Sequence, residues 1–151
     1  METETFPEEL AAALVGVQRL IRRRLRSQMT VPRLRGAEVE LLRLVEARPG
    51  IGISEAAREL CLASNSVSTL VNQLARDGYL VRETDPADRR AARLLLTAAA
   101  EARLSDWRER RAALVRGQVA RLDEADRDAL RAAVPALRRL AVNLHEEAEE
   151  S

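Results

Sequence analysis

Three residues, Cys61-Leu62-Ala63, separate two stretches with helical apolar spacing, and a link that short permits few arrangements of what it joins. Before it, Ile53-Ser54-Glu55-Ala56-Ala57-Arg58-Glu59-Leu60 repeats apolar residues at helical intervals; after it, Val67, Leu70, Val71 and Leu74 fall on one face. Two short helices that cross steeply across a three-residue turn make a helix-turn-helix. The second helix should stop at Asp77-Gly78, where glycine can adopt the left-handed cap that other residues resist. Two short extended runs follow, Tyr79-Leu80-Val81-Arg82 and Arg93-Leu94-Leu95-Leu96, with the polar turn Asp85-Pro86-Ala87-Asp88 between them. The expected fold is mainly α with a small β-wing, a winged helix-turn-helix whose second helix suits the major groove of DNA.

At 151 residues the chain reads as one unit, 1–151, able to bury a real core, and 46% hydrophobic with 32% charged residues argues for folding rather than disorder. No apolar run approaches a membrane span, and the opening Met1-Glu2-Thr3-Glu4 does not resemble a secretory signal, so the expectation is a cytoplasmic protein with no membrane partner. One cysteine excludes an internal disulfide framework. His145 is the single histidine and sits in an acidic tail, while Cys61 has no local basic partner beyond Arg58. These residues offer neither a triad nor a metal-ligand set, so no enzyme, cofactor or metal is expected. RNA stacking surfaces need aromatic side chains, and the chain has one each of Phe6, Tyr79 and Trp107. The net charge of +1 does not announce a nucleic-acid binder, but its distribution is uneven. Arg19, Arg22, Arg23, Arg24, Arg26, Arg33 and Arg35 fall in a stretch without an acidic residue, whereas His145-Glu146-Glu147-Ala148-Glu149-Glu150 is acidic. The arginine cluster fits either a DNA-facing surface or a solvated helix face in a chain that uses no lysine at all.

Long amphipathic segments flank this unit. Pro7 to about Gln28 carries Leu10, Leu14, Val17, Ile21 and Leu25 at helical spacing, with Pro7 in the opening turn. Thr30 is the nearest candidate cap for a second helix from Leu34 to Ala47, which Arg48-Pro49-Gly50 ends. Gly50-Ile51-Gly52-Ile53 is too short and lacks the lysine of a phosphate loop, so a brief strand or turn against the wing is expected. Thr97 should cap a helix running to about Arg121, and Asp123 a last helix with Leu130, Val134, Leu137, Leu140, Ala141 and Leu144 on one side, bent or weakened by Pro135. Segments 7–28 and 98–147 carry apolar stripes that the small reader, 34–97, cannot cover. Pairing them in a homodimer would also place two reader helices on one roughly palindromic duplex.

The residues expected to read DNA are Ser64, Asn65, Ser66, Ser68, Thr69, Asn72 and Gln73, whose hydroxyls and amides can donate and accept at base edges. Capping of the helix start accounts for Ser64 or Asn65 equally well, but not for Ser68, Asn72 and Gln73 farther along. Arg89 and Arg90 at the wing can reach phosphate or a narrow minor groove; alternatively one of them pairs with Asp85 or Asp88 and steadies the turn.

Ser54-Glu55-Ala56-Ala57, Ser68-Thr69-Leu70-Val71-Asn72-Gln73-Leu74 with Asp77-Gly78-Tyr79-Leu80, and Asp85-Pro86-Ala87-Asp88-Arg89-Arg90 with Leu96-Thr97 together resemble the MarR family of bacterial transcriptional regulators. The resemblance implies a triangular homodimer built from the terminal helices, with Ser64 to Arg76 in the major groove and Arg90 at the minor groove. It further implies a repressor released by a small aromatic or apolar effector, bound near the join of the first two helices and the long helix after Thr97. A dimer acting constitutively or through a protein partner is the alternative. Relatives commonly carry arginine where this chain has Thr69, Gln73 and Ala87, glycine at Cys61, and serine-proline at Ala63-Ser64, so a larger share of binding should fall to Arg89 and Arg90. Some relatives sense peroxide through a cysteine in the first helix; Cys61 lies elsewhere, and its neighbours Leu60 and Leu62 suggest a buried, inert thiol.

Overall fold

The computed structural model of the chain describes residues 2–29, 34–88 and 90–150. The elements in order are α1 (Glu2–Gln28), α2 (Gly36–Ala47), α3 (Ile53–Glu59), α4 (Ser64–Arg76), β1 (Leu80–Thr84), β2 (Ala92–Leu96), α5 (Ala98–Val119) and α6 (Glu124–Glu150). They divide into two units, Met1–Arg33 with Trp107–Leu122, and Leu34–Asp106 with Asp123–Ser151. None of the described helices is long and apolar enough to cross a membrane.

The second unit holds the winged helix. Its core draws on every element of the reader: Leu41, Leu42 and Val45 from α2, Ala56 and Ala57 from α3, Val67, Val71 and Leu74 from α4, Leu80 and Leu94 from the strands, and Ala100 and Leu104 from the start of α5. A leucine fully withdrawn from water contributes about 1.5–3 kcal/mol, so this cluster, rather than helix propensity, holds the short α3 in place. The strands pair antiparallel with Leu80 opposite Leu96 and Arg82 opposite Leu94. The Gly50-Ile51 segment runs along the free side of β2, as the sequence suggests. The Gly50 amide donates to the Leu94 carbonyl (2.9 Å), and the Leu94 amide donates to the Ile51 carbonyl (3.0 Å).

Helix boundaries follow from local chemistry, with some departures from the sequence expectation. Helix α1 begins at Glu2 rather than Pro7. Proline's fixed φ is helical, and so near the start of a helix it forfeits only one backbone hydrogen bond. Thr30 lies outside the described residues. Helix α2 starts at Gly36, two residues after Leu34, because Glu38 reaches back to accept the Arg35 amide at 3.1 Å. A glutamate three residues into a helix serves this purpose regularly, and here it is the buried Glu38 that does so. Thr97 caps α5 as expected, its Oγ1 accepting the Ala100 amide at 3.2 Å while donating to the Gly78 carbonyl at 2.7 Å. Asp123 caps α6 through the Asp126 amide at 2.8 Å. Helix α5 stops two residues short of Arg121, α6 runs three beyond Glu147, and Pro135 does not end α6.

Both helices of the helix-turn-helix close in the same way. At the end of α4 the Tyr79 amide donates to the Leu74 carbonyl and the Gly78 amide to the Ala75 carbonyl, with Gly78 at φ +82°. At the end of α3 the Leu62 amide donates to Ala57 and the Cys61 amide to Arg58, with Cys61 at φ +54°. This paired closure requires a left-handed residue. Cys61 is therefore exposed, not buried as its apolar neighbours suggest, because the cap turns it out of the core along with Leu62.

In the first unit, α1 buries Leu25 yet leaves Phe6, Leu14, Val15, Val17 and Leu20 exposed. The Arg111 guanidinium lies 4.6 Å from the Trp107 ring centroid.

Left-handed backbone costs a residue with a side chain about 1–2 kcal/mol, whereas glycine tolerates it. Cys61→Gly is therefore expected to raise stability by about 1 kcal/mol in urea unfolding, and Cys61→Ala to leave it unimproved.

Candidate nucleic-acid interface

Helix α4 separates its two faces cleanly. Val67, Val71 and Leu74 point into the core, while Ser64, Asn65, Ser66, Thr69 and Asn72 are exposed and Ser68 and Gln73 half-buried. The cap is the apolar Ala63, whose side chain makes no capping bond, so neither Ser64 nor Asn65 serves as the N-cap. Asn65 instead accepts the Ser66 amide through Oδ1 at 2.9 Å, taking up one of the donors that a helix start leaves unpaired. Thr69 Oγ1 donates to the Asn65 carbonyl at 3.0 Å, which commits its proton and leaves a hydroxyl oxygen that can only accept.

Gln73 is engaged at both ends. Its Nε2 donates to Asp77 Oδ1 and Oδ2 at 3.1 and 3.2 Å, and its Oε1 accepts from Arg76 Nη2 at 3.2 Å. A bidentate contact from Gln73 to adenine would first have to open these exposed bonds, each worth about 0.5–1.5 kcal/mol net. Among the described residues Asn72 is bonded on one side only: its Oδ1 accepts from Arg82 Nη2, reaching across from β1.

The tip of the wing is organised by its aspartates. Asp85 Oδ1 accepts the Ala87 amide at 2.9 Å and Asp88 Oδ1 the Arg90 amide at 3.0 Å, while the Asp85 amide donates to the Ala91 carbonyl at 3.0 Å. Short aspartates bonding two residues onward in this way hold a turn from within. The alternative in which Asp85 or Asp88 pairs with a wing arginine does not apply to Arg90. Both carboxylates bond to backbone, and the exposed Arg90 guanidinium has no partner among the described residues. Arg89 lies outside the described residues.

Arg76 and Arg82 also belong to this surface, and neither stands out in the sequence. The period of two in β1 is the signal that could have found Arg82: it shares a face with Leu80, and that face turns toward the helices. Elsewhere in the same unit Arg48 bonds to Glu59 at 2.8 Å and to Glu55, and His145 Nε2 stands 3.5 Å from Glu59 Oε2, joining the end of α6 to α3. Among the described residues no group of three or more His, Cys, Asp or Glu is placed to hold a metal ion. In the other unit a shallow groove of about 450 Å³ runs along α1, lined by Leu14, Val15, Gln18, Arg19, Arg22 and Arg26.

The MarR family model matches residues 35–92, which is the span from the α2 cap to the start of β2. A Pseudomonas aeruginosa PA01 protein assigned as a transcriptional regulator superposes with a TM-score of 0.72 at 31% identity, over 88% of this chain and 94% of its own. The chain belongs to the MarR family. Membership makes it a winged-helix transcriptional regulator. Streptococcus pneumoniae FabT, solved in complex with DNA, shares the fold at TM-score 0.72 and 20% identity, over 94% of this chain and 99% of its own. The PcaV regulator of Streptomyces coelicolor, solved with its natural ligand, does so at TM-score 0.60 and 22% identity, over 93% and 95%. No curated protein matches the sequence.

In this MarR-family chain Arg90 is exposed and, among the described residues, bonded only through its backbone amide, so Arg90→Ala should leave thermal stability unchanged within about 0.5 kcal/mol. Titration of duplex DNA at several salt concentrations should show weaker binding to every sequence, with the log–log salt slope reduced by about one for each phosphate that the variant no longer neutralises.

Proposed function

We propose that the chain is a cytoplasmic homodimeric repressor that binds a roughly palindromic duplex and is released by a small aromatic or apolar effector. The observation that carries this reading is the outward face of α4: hydroxyls and amides in line from Ser64 to Asn72, beside a wing whose Arg90 has no partner among the described residues. A helix of merely structural use has no need for a row of exposed hydroxyls and amides, nor a wing for a guanidinium left without a partner among the described residues. Residues 34–97 form the DNA-binding part, with Ser64, Asn65, Ser66, Ser68, Thr69, Asn72 and Gln73 toward the major groove, and Arg89 and Arg90 toward the backbone or minor groove. The FabT complex with DNA supports the same use of this fold.

Residues 7–28 and 98–147 form the dimerisation part. Leu14, Val15, Val17 and Leu20 on α1, and Leu130, Val134, Leu140 and Leu144 on α6, stay exposed in the single chain, and apolar stripes of that length mark an interaction surface. A second copy covers them and spaces two α4 helices for two half-sites. Effector control is supported by the ligand complex of PcaV.

Sedimentation at micromolar concentration should give a dimer, and a monomer would overturn the assembly. Leu14→Ala and Leu137→Ala should each cost about 2–5 kcal/mol where the dimer buries them fully. Selection from genomic DNA followed by footprinting should reveal two half-sites about one helical turn apart. Binding to the selected duplex no tighter than to random DNA would overturn the function. Thermal-shift screening with aromatic acids should find a ligand that both stabilises the dimer and weakens its DNA affinity. A screen without any such ligand would favour a regulator that acts constitutively or through a protein partner.

A further inference from the structure

We propose that Arg82 determines which base Asn72 reads: the two side chains act as one donor-presenting unit that selects guanine over adenine. The inference rests on the reading of α4 as the helix in the major groove. Leu80, Arg82 and Thr84 alternate onto one face of β1, the face that also carries the fully buried Leu94 opposite Arg82. That face is turned toward α4, and the Arg82 guanidinium meets Asn72 where the apolar contact runs out: Nη2 donates to Asn72 Oδ1, and both residues are exposed. No carboxylate among the described residues pairs with Arg82, so its charge stays at the surface of the helix.

The chemistry of the pair fixes its orientation. Arginine carries five N–H donors and no acceptor, so only the amide oxygen of Asn72 can face it, and the amide NH2 is turned away from Arg82. An asparagine that reads adenine needs that same oxygen to accept from N6–H while its nitrogen donates to N7. Here the oxygen is already engaged by a cation, and an incoming N6–H donor would meet both a partly used acceptor and a neighbouring positive charge. Guanine presents N7 and O6, two acceptors, and meets neither obstacle. The Nδ2 donors of Asn72 together with the remaining N–H groups of Arg82 form a purely donating surface that matches it. Gln73, held by Asp77 and Arg76, offers no competing acceptor. Arg82 is in this sense a positioning residue for Asn72 as well as a donor in its own right.

The test compares the full chain with Arg82→Ala, Arg82→Lys and Asn72→Ala, each first checked for an unchanged melting temperature. Each protein selects duplexes from a random pool and is then titrated against single-base variants of the wild-type site. The wild type should require guanine at one position of each half-site, with adenine there weakening binding by about tenfold or more. Arg82→Ala, which frees the Asn72 oxygen, should turn that preference toward adenine, and Asn72→Ala in the Arg82→Ala background should abolish the adenine preference at that position. Arg82→Lys keeps the charge but not the planar fork, so it should keep most of the salt dependence and lose the guanine preference. Uniform weakening by Arg82→Ala with the base preferences intact would reduce Arg82 to a phosphate contact and overturn the proposal. Changes of preference at two different positions in the Arg82 and Asn72 variants would overturn it as well. A wild-type protein that selects no sequence at all would remove the reading of α4 itself, a result distinct from either of the others.

Discussion

Leu94 is the residue on which the geometry of the reader turns. Its side chain is fully buried in the core shared by α2, α4 and the strands, while its amide and carbonyl bond outward to Ile51 and Gly50. In an antiparallel ladder a residue whose backbone groups point away from its partner strand belongs to a non-hydrogen-bonded pair, and such pairs bring their side chains closest. Arg82 is the partner opposite. One residue thus attaches the wing to the turn between α2 and α3 and seats the sheet on α4. It also sets the distance from which Arg82 reaches Asn72. The β-wing has only two assigned strands, too few to be stable alone, and the Gly50-Ile51 segment supplies a third line of backbone pairing.

Backbone bonds at the helix ends extend this linkage. Cys61 and Gly78 occupy equivalent closing positions after α3 and α4, and in each case the next residue's amide reaches back five residues along the helix. After α4 the closure is coupled to a second one: the Gly78 carbonyl accepts from Thr97 Oγ1, and the Thr97 amide donates to the Tyr79 carbonyl, so the start of α5 is fixed to the end of α4. The Arg103 guanidinium, from the next turn and a half of α5, lies 5.3 Å from the Tyr79 ring centroid and bonds to its hydroxyl. A displacement at the base of α5 must therefore move α4 or break these bonds, which gives the first turns of α5 mechanical access to α4.

Much of this is legible in the sequence where one residue type has one physical use. Gly78 announces the end of α4, Thr97 and Asp123 announce caps, and the length of Gly50-Ile51 alone points to the wing. Cys61 misleads because its neighbours in sequence are apolar, whereas exposure there is decided by the φ of +54° that the cap demands. The start of α2 is obscure because the cap uses a backbone amide and the side chain of Glu38, so no Ser, Thr, Asp or Asn marks the site. On the candidate interface the periodicity of α4 finds the buried Val67, Val71 and Leu74, although Ser68 and Gln73 are half-buried rather than exposed, and hydrogen bonding between elements is invisible to periodicity. The tie from Arg82 to Asn72 depends on folded distances, whereas Asp85 and Asp88 bond to amides two residues on within their own turn.

These ties change what the surface asks of its DNA. A recognition helix with several free arginines draws affinity from phosphates and can bind strongly whatever the sequence. Helix α4 contains a single arginine, Arg76 at its last position, and that side chain bonds to Gln73. Charge reaches the interface instead from the strands and the turn, through Arg82 beside Asn72 and Arg90 at the wing. Under the proposed function, a guanidinium at the wing tip serves the backbone or the minor groove and contributes to binding everywhere along a duplex. A guanidinium held against an amide on the helix gains most where a base edge answers both groups. Under the proposed function, general attraction falls to the wing and discrimination to the contact between β1 and α4. On that reading, with few charges directed at phosphate, the margin between correct and incorrect sites comes from that contact.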